Sequence, residues 1–166
     1  MRIFDLITYD DELRMIPADT AELETEVDRH SRGDGYQQLR AAGVGSIALG
    51  RYDAARDLLV RARELADTQT RLIAVEINLA DAHRYAGDLV EAERLCRRAL
   101  ATARSDSPDL IDFAAQHLGK CLTDQGRFDD ARDALNEALR LRLAKGEQSL
   151  IDSTRAALER LEELAR

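Results

Sequence analysis

Three histidines, two cysteines, one glycine cluster and several adjacent carboxylates are the residues of this 166-residue chain whose types could carry catalysis or hold a metal. His30, His83 and His117 fall on separate predicted helices, and none begins the i, i+4 pair with which one helix face offers two imidazoles to a metal. His83, four residues before a predicted helix stop, reads as a packed structural residue. Cys96 and Cys121 stand far apart within helical patterns, which makes them two buried thiols of a reducing compartment. Gly43-Val44-Gly45 lies mid-helix and lacks the preceding strand and following Lys-Ser or Lys-Thr of a phosphate loop. The pairs Asp129-Asp130 and Glu162-Glu163 sit on helix surfaces, where charge is normally solvated. A hydrolase built on His83 or His117 would lack both a nucleophile and an orienting group. No catalytic residue, metal site or cofactor is therefore expected.

The elements behind these residues are helical and repeated. Ala, Leu, Arg and Glu recur, aromatics are 4% and Pro numbers two, which favours helix throughout. Three segments align without gaps on Gly50, Gly87 and Gly126, spaced 37 and 39 residues apart. They begin at Gln37 (QQLRAAGVGSIALGRYDAARDLLVRAREL), Ala74 (AVEINLADAHRYAGDLVEAERLCRRALAT) and Phe113 (FAAQHLGKCLTDQGRFDDARDALNEALRL). Each glycine interrupts a helical run, and a left-handed residue there lets two helices reverse and pack antiparallel. Small residues recur in register: Gly43, Ala80 and Gly119 before the glycine, then Ala55, Ala92, Ala131 and Ala62, Ala99, Ala138 after it. They predict close helix approach, filled between by Leu59, Leu79, Leu118 and Leu135.

This pattern resembles tetratricopeptide repeats over roughly residues 36–145, and the second copy, with INLA before the turn and EAERLCRRAL after it, is similar to the kinesin-light-chain type found in many bacterial proteins. The resemblance implies an all-α, right-handed superhelical array of antiparallel helix pairs, a TPR-like α-solenoid, with function in its concave groove. The first copy has Ala42 and Ser46 where larger apolar residues are usual, which predicts looser packing there.

On that groove the first helices are expected to expose Gln37, Arg40 and Val44, then Asn78, Asp81, Arg84 and Tyr85, then Phe113, Gln116, His117 and Lys120, with Ile47, Ala74, Ile77 and Thr123 on the same stripe. Arg40, Arg84 and Lys120 against Asp81 and Asp124 leave the stripe neutral to slightly basic within a chain of net charge -8, so acidic ligands are favoured locally. The family's carboxylate clamp is matched at Asn78, whose amide can donate and accept at once, and Arg40 stands for a clamp lysine. Val44, Phe113 and His117 depart from it.

The expected organisation is an N-terminal segment at 1–18, a helix and turn at 19–35, three helical hairpins at 36–146 and a C-terminal capping helix at 147–166. In the cap, Leu150, Thr154, Ala157, Leu158, Leu161 and Leu164 form the predicted apolar stripe. Asp19 or Thr20 is the predicted N-cap of the first helix, which would bury Leu23 and Val27. Residues 1–16 fit a helix through Ile3, Phe4 and Ile7 or an extended segment through ITY. Tyr9-Asp10-Asp11-Glu12 places an aromatic beside three acids; a disordered or helix-capping tail is the leading reading of residues 1–16, and docking across a basic groove, the chain's own or a neighbour's, is the alternative. The acidic balance disfavours nucleic acid and anionic membrane, and the interrupted N-terminal apolar run predicts a cytoplasmic chain without a signal or span. A non-catalytic scaffold binding a protein or peptide, acidic in character, is the leading expectation; self-association into a homo-oligomer is the alternative.

Overall fold

The computed structural model describes residues 2–166, which form eight α-helices preceded by a short hairpin. A 3-10 turn (Arg2–Leu6) leads into β1 (Ile7–Tyr9) and β2 (Met15–Pro17), followed by α1 (Thr20–Ser31), α2 (Tyr36–Ala48), α3 (Tyr52–Glu64), α4 (Gln69–Tyr85), α5 (Leu89–Asp106), α6 (Ile111–Asp124), α7 (Phe128–Lys145) and α8 (Gln148–Leu164). A second 3-10 turn, Pro108–Leu110, opens the way into α6. Asp19 caps α1, its carboxylate accepting from the Glu22 amide.

Each of α2/α3, α4/α5 and α6/α7 reverses at its repeat glycine. Gly50, Gly87 and Gly126 have φ of +73°, +86° and +74°, in the left-handed region. At Gly50 the amides of Gly50 and Arg51 donate to Ile47 O and Ser46 O, and Gly87-Asp88 and Gly126-Arg127 repeat this on their own helices. The double bond satisfies carbonyls that the helix end would otherwise orphan, which is why the same residue recurs.

The register of small residues sets how closely paired helices approach. A methyl added at Gly43 would lie 2.5 Å from Leu59 Cγ, and one at Gly119 would lie 2.6 Å from Leu135 Cγ. In the second copy the corresponding residues are Ala80 and Cys96, both buried: the methyl is present and the facing side chain is shorter. Every helix packs on its chain neighbours, and α2, α4 and α6 also touch in succession, with α6 reaching α8. These first helices form one layer of an all-α, TPR-like helical repeat.

Two expectations are corrected here. The first pair is not loosely packed: Ala42 and Ser46 are buried, and a methyl at Gly45 would lie 2.5 Å from Val27 Cγ2 of α1, so small residues in α2 admit a neighbour. In α8 the buried stripe is Ile151, Thr154, Ala157 and Leu161, while Leu150 and Leu158 are half-buried and Leu164 is 48% exposed. The stripe is centred on Thr154, which faces the buried Arg142 of α7, and this brings Ile151 inward in place of Leu150 and Leu158.

No described helix is long and apolar enough to cross a membrane.

Candidate functional site

The layer made by α2, α4, α6 and α8 is not open. Residues 2–17 fold across it. Ile3 and Leu6 anchor this segment by packing with Leu23, Val27, Ala41 and Ala48 in a second core cluster. Leu6 O then accepts from Ala18 N at 2.9 Å, closing the base of a hairpin paired Ile7 to Pro17, Thr8 to Ile16 and Tyr9 to Met15. Strands of three residues have little stability of their own, so docking must supply it. The Met15 amide donates to the Tyr85 hydroxyl at 2.7 Å, the Phe4 ring lies 5.5 Å from the Arg40 guanidinium, and the Tyr9 ring lies 5.9 Å from Lys120 Nζ.

The acids of this segment do not enter the groove. Asp10 accepts from the amides of Glu12 and Arg14 at 2.9 Å and so caps the turn, Asp11 is exposed, and Glu12 stands on the rim 4.0 Å from Arg160. Leu13 takes φ of 60°, a left-handed conformation costing about 1 kcal/mol or more, and packs its side chain against the main core. Rings, Leu13 and one backbone amide make the contact.

A cavity of about 340 Å³ remains between hairpin and helices. Arg40, Val44, Asn78, Asp81, Arg84, Tyr85, Phe113, Gln116, His117 and Lys120 all line it; Gln37 is exposed elsewhere on α2. The expected exposed stripe is corrected: Val44, Asn78, Asp81, Arg84, Tyr85, Gln116 and Thr123 are buried, and Ile47 and Ile77 belong to the core. Burial follows from the hairpin roof on one side and α8 on the other.

The charges are mostly paired. Arg84 donates to Asp81 Oδ1 at 3.2 and 3.3 Å and to Asp124 Oδ2 at 2.9 Å, tying α4 to α6. His117 Nδ1 stands 3.1 Å from Asp81 Oδ2 without the direction of a hydrogen bond, its ring edge-on to Phe113 at 4.7 Å. Burial pushes the Asp81 carboxyl up, but His117, Arg84 and Lys120 outweigh it and hold the group well below the usual carboxylate range. Burial lowers the His117 imidazole against the pull of Asp81. Burial likewise brings Lys120 down to about 8, opposed by Asp81 and aided by Arg84 and Arg142. The Tyr85 phenol is pushed up by burial and by Asp81, so it stays neutral.

Of the cations that line the cavity, two have no carboxylate within ion-pair range among the described residues: Arg40 and Lys120. Arg40 donates its Nε to Asn78 Oδ1 at 2.8 Å, so the amide expected to serve a ligand from both ends has its oxygen taken and its nitrogen free. The other two histidines are engaged away from the cavity: His83 Nδ1 lies 3.0 Å from Asp88 Oδ2 at the helix stop, and His30 Nδ1 lies 2.8 Å from Glu26 O. Among the described residues no group of three or more His, Cys, Asp or Glu could hold a metal ion.

Sequence reasoning missed Arg142 as a site residue. It is 3% exposed, pairs with Asp112 at 3.0 Å, and donates to Gln116, to Leu150 O at 3.0 Å and to Thr154 Oγ1 at 3.0 Å. It thereby fastens α6, α7 and α8 together at one wall of the cavity. A signal was present: counted from the turn glycines, Arg142 stands in register with Ala66 and Ala103, and Asp112 with Tyr36 and Ile73. The third copy replaces an apolar pair of positions with an ion pair.

The fold and its groove define a class, the tetratricopeptide-like repeat array. A family model described as tetratricopeptide repeat matches residues 70–144, the second and third hairpins. Such repeats generally mediate protein–protein interactions and generally act as non-catalytic modules. No curated protein matches the chain.

Proposed function

We propose that the protein is a non-catalytic scaffold whose concave face receives an extended segment of a partner protein, in the cytoplasm. The observation that carries this reading is the chain's own N-terminal segment, which lies on the face through one main-chain hydrogen bond from the hairpin to Tyr85, the Tyr9 ring over Lys120 and, just before the hairpin, the Phe4 ring over Arg40. A partner segment with an aromatic residue beside a carboxylate suits the same positions, because Arg40 and Lys120 are the cations of the cavity left without an acid. The likeness of the second copy to kinesin-light-chain repeats supports this preference, since proteins of that type bind aromatic residues flanked by acids.

The base of the hairpin provides the test. Ala18 N and Leu6 O are hydrogen-bonded, so residues 7–17 can be replaced by Gly-Gly while Ile3 and Leu6 keep their core contacts. A labelled peptide of sequence ITYDDELRMIP is then titrated into the shortened chain by fluorescence anisotropy. A tether supplies an effective concentration near ~1 mM, so a hairpin docked nine-tenths of the time requires a free-peptide Kd of about 0.1 mM or tighter. Saturable binding that weakens with Lys120→Glu and is reduced in the intact chain is expected. A folded shortened chain that does not bind the peptide at ~1 mM would refute the reading.

A further inference from the structure

We infer that the cavity beneath the docked hairpin is a binding site for a small organic monocarboxylate with an apolar body. The site concerns the closed chain and does not require a protein partner.

The walls carry donors without acceptors. Arg40 uses only Nε within the chain and keeps both terminal nitrogens for a ligand, in the planar fork that matches a carboxylate. Asn78 adds a free Nδ2 beside it, and Lys120 adds an ammonium with no acid partner. The Tyr85 oxygen already accepts from Met15, which leaves its own hydrogen to donate. Most acceptors, by contrast, are taken: Asp81 Oδ1 by Arg84, Asn78 Oδ1 by Arg40, and Gln116 Oε1 by Arg142 and Thr154, while Asp81 Oδ2 faces the His117 ring. With two cations unpaired by acids and more free donors than free acceptors on its walls, the chamber is suited to a hydrogen-bond-accepting anion.

The remaining lining decides what the anion carries. Phe4, Ile7, Val44 and Phe113 offer rings and branched aliphatic carbon, too apolar for a phosphate or a sugar acid. A volume of about 340 Å³ is at the small end of ligand pockets, enough for a single ring or a short aliphatic chain with its acid group. Because the N-terminal turn and hairpin supply Phe4 and Ile7 and the helices supply the donors, such a ligand would contact both and hold the roof closed.

Isothermal titration of the intact chain with phenylacetate and hexanoate tests this, with phenylacetamide and inorganic phosphate as controls. One site per chain is expected for at least one acid, with the amide about tenfold weaker or worse, as the loss of a charged hydrogen bond implies. Arg40→Met and Lys120→Met should each weaken the acid by about tenfold, with unchanged circular dichroism. The Gly-Gly chain lacking residues 7–17 should lose binding, which separates this site from the peptide groove. No heat from either acid, equal binding of the amide, preference for phosphate, or full affinity in Arg40→Met would overturn the proposal.

Discussion

Gly119→Ala should destabilise the protein even though it places a better helix former in α6. The added methyl would stand 2.6 Å from Leu135 Cγ, 2.8 Å from its Cδ2 and 3.3 Å from Ala131 O. Leu135 is fully buried and cannot swing away, and Ala131 O belongs to the backbone of α7. Overpacking of this kind costs about 1–3 kcal/mol, against a gain of about 1 kcal/mol in helix propensity, so a net loss near 1 kcal/mol is expected. Leu135→Cys alone opens a void and should cost about 2 kcal/mol, below the range for truncation to Ala. Together the two substitutions rebuild the Ala80 and Cys96 combination of the second copy, where the methyl has room. The double variant should therefore lose less than the sum, with a coupling of about 1 kcal/mol or more. Urea unfolding followed by circular dichroism at constant m-value measures each corner of the cycle. Losses that add to within about 0.5 kcal/mol would mean that the two positions do not share one space, and the small-to-large account of the repeat interface would fail.

Three further outcomes follow from the buried charges. Arg142→Met should cost about 3 kcal/mol, since it removes hydrogen bonds to α8 while Asp112 keeps Lys145. Amide exchange should then quicken in residues 148–164 before the other helices, and uniform quickening would contradict the fastening role. On acidification, the depressed Asp81 contributes stability that is complete above pH 3.8 and disappears as pH falls below it, because the unfolded chain takes up the proton first. The opposite end of the scale belongs to Lys120: between about 8 and 10.5 the unfolded chain holds a proton the folded chain has lost, so this group makes stability rise with pH. Asp81, Arg84, Asp124 and Arg142 face it from the helices and Tyr9 from the hairpin. Tyrosines and thiols oppose the trend, so the measurement is the difference between wild type and Lys120→Met across that window; parallel curves would refute the shift.

The repeat architecture was legible in the residues because its causes are local or periodic. A glycine at a helix stop needs only its own φ, and small residues at fixed distances from Gly50, Gly87 and Gly126 report helix approach through spacing alone. The same origin correctly grouped Arg40, Asn78, Asp81, His117 and Lys120 on one face, since each first helix has the same phase. What spacing could not provide was the roof over that face. The hairpin consists of two three-residue strands with an acidic turn, and it and the turn before it hold their place through contacts with residues about 35 to 110 positions away, Phe4 on Arg40, Met15 on Tyr85 and Tyr9 on Lys120. Its acids pointed to electrostatic docking, whereas the turn consumed Asp10 and the contact fell to rings and a backbone amide. Arg142 was hidden for a related reason: on an isolated α7 it is one more arginine among surface charges, and only the approach of Asp112 from α6 and Thr154 from α8 makes burying it favourable. Helix, turn and repeat follow from the order of residues along the chain; closure of the groove, and the chamber left inside it, came from surfaces that meet only when the whole array is assembled.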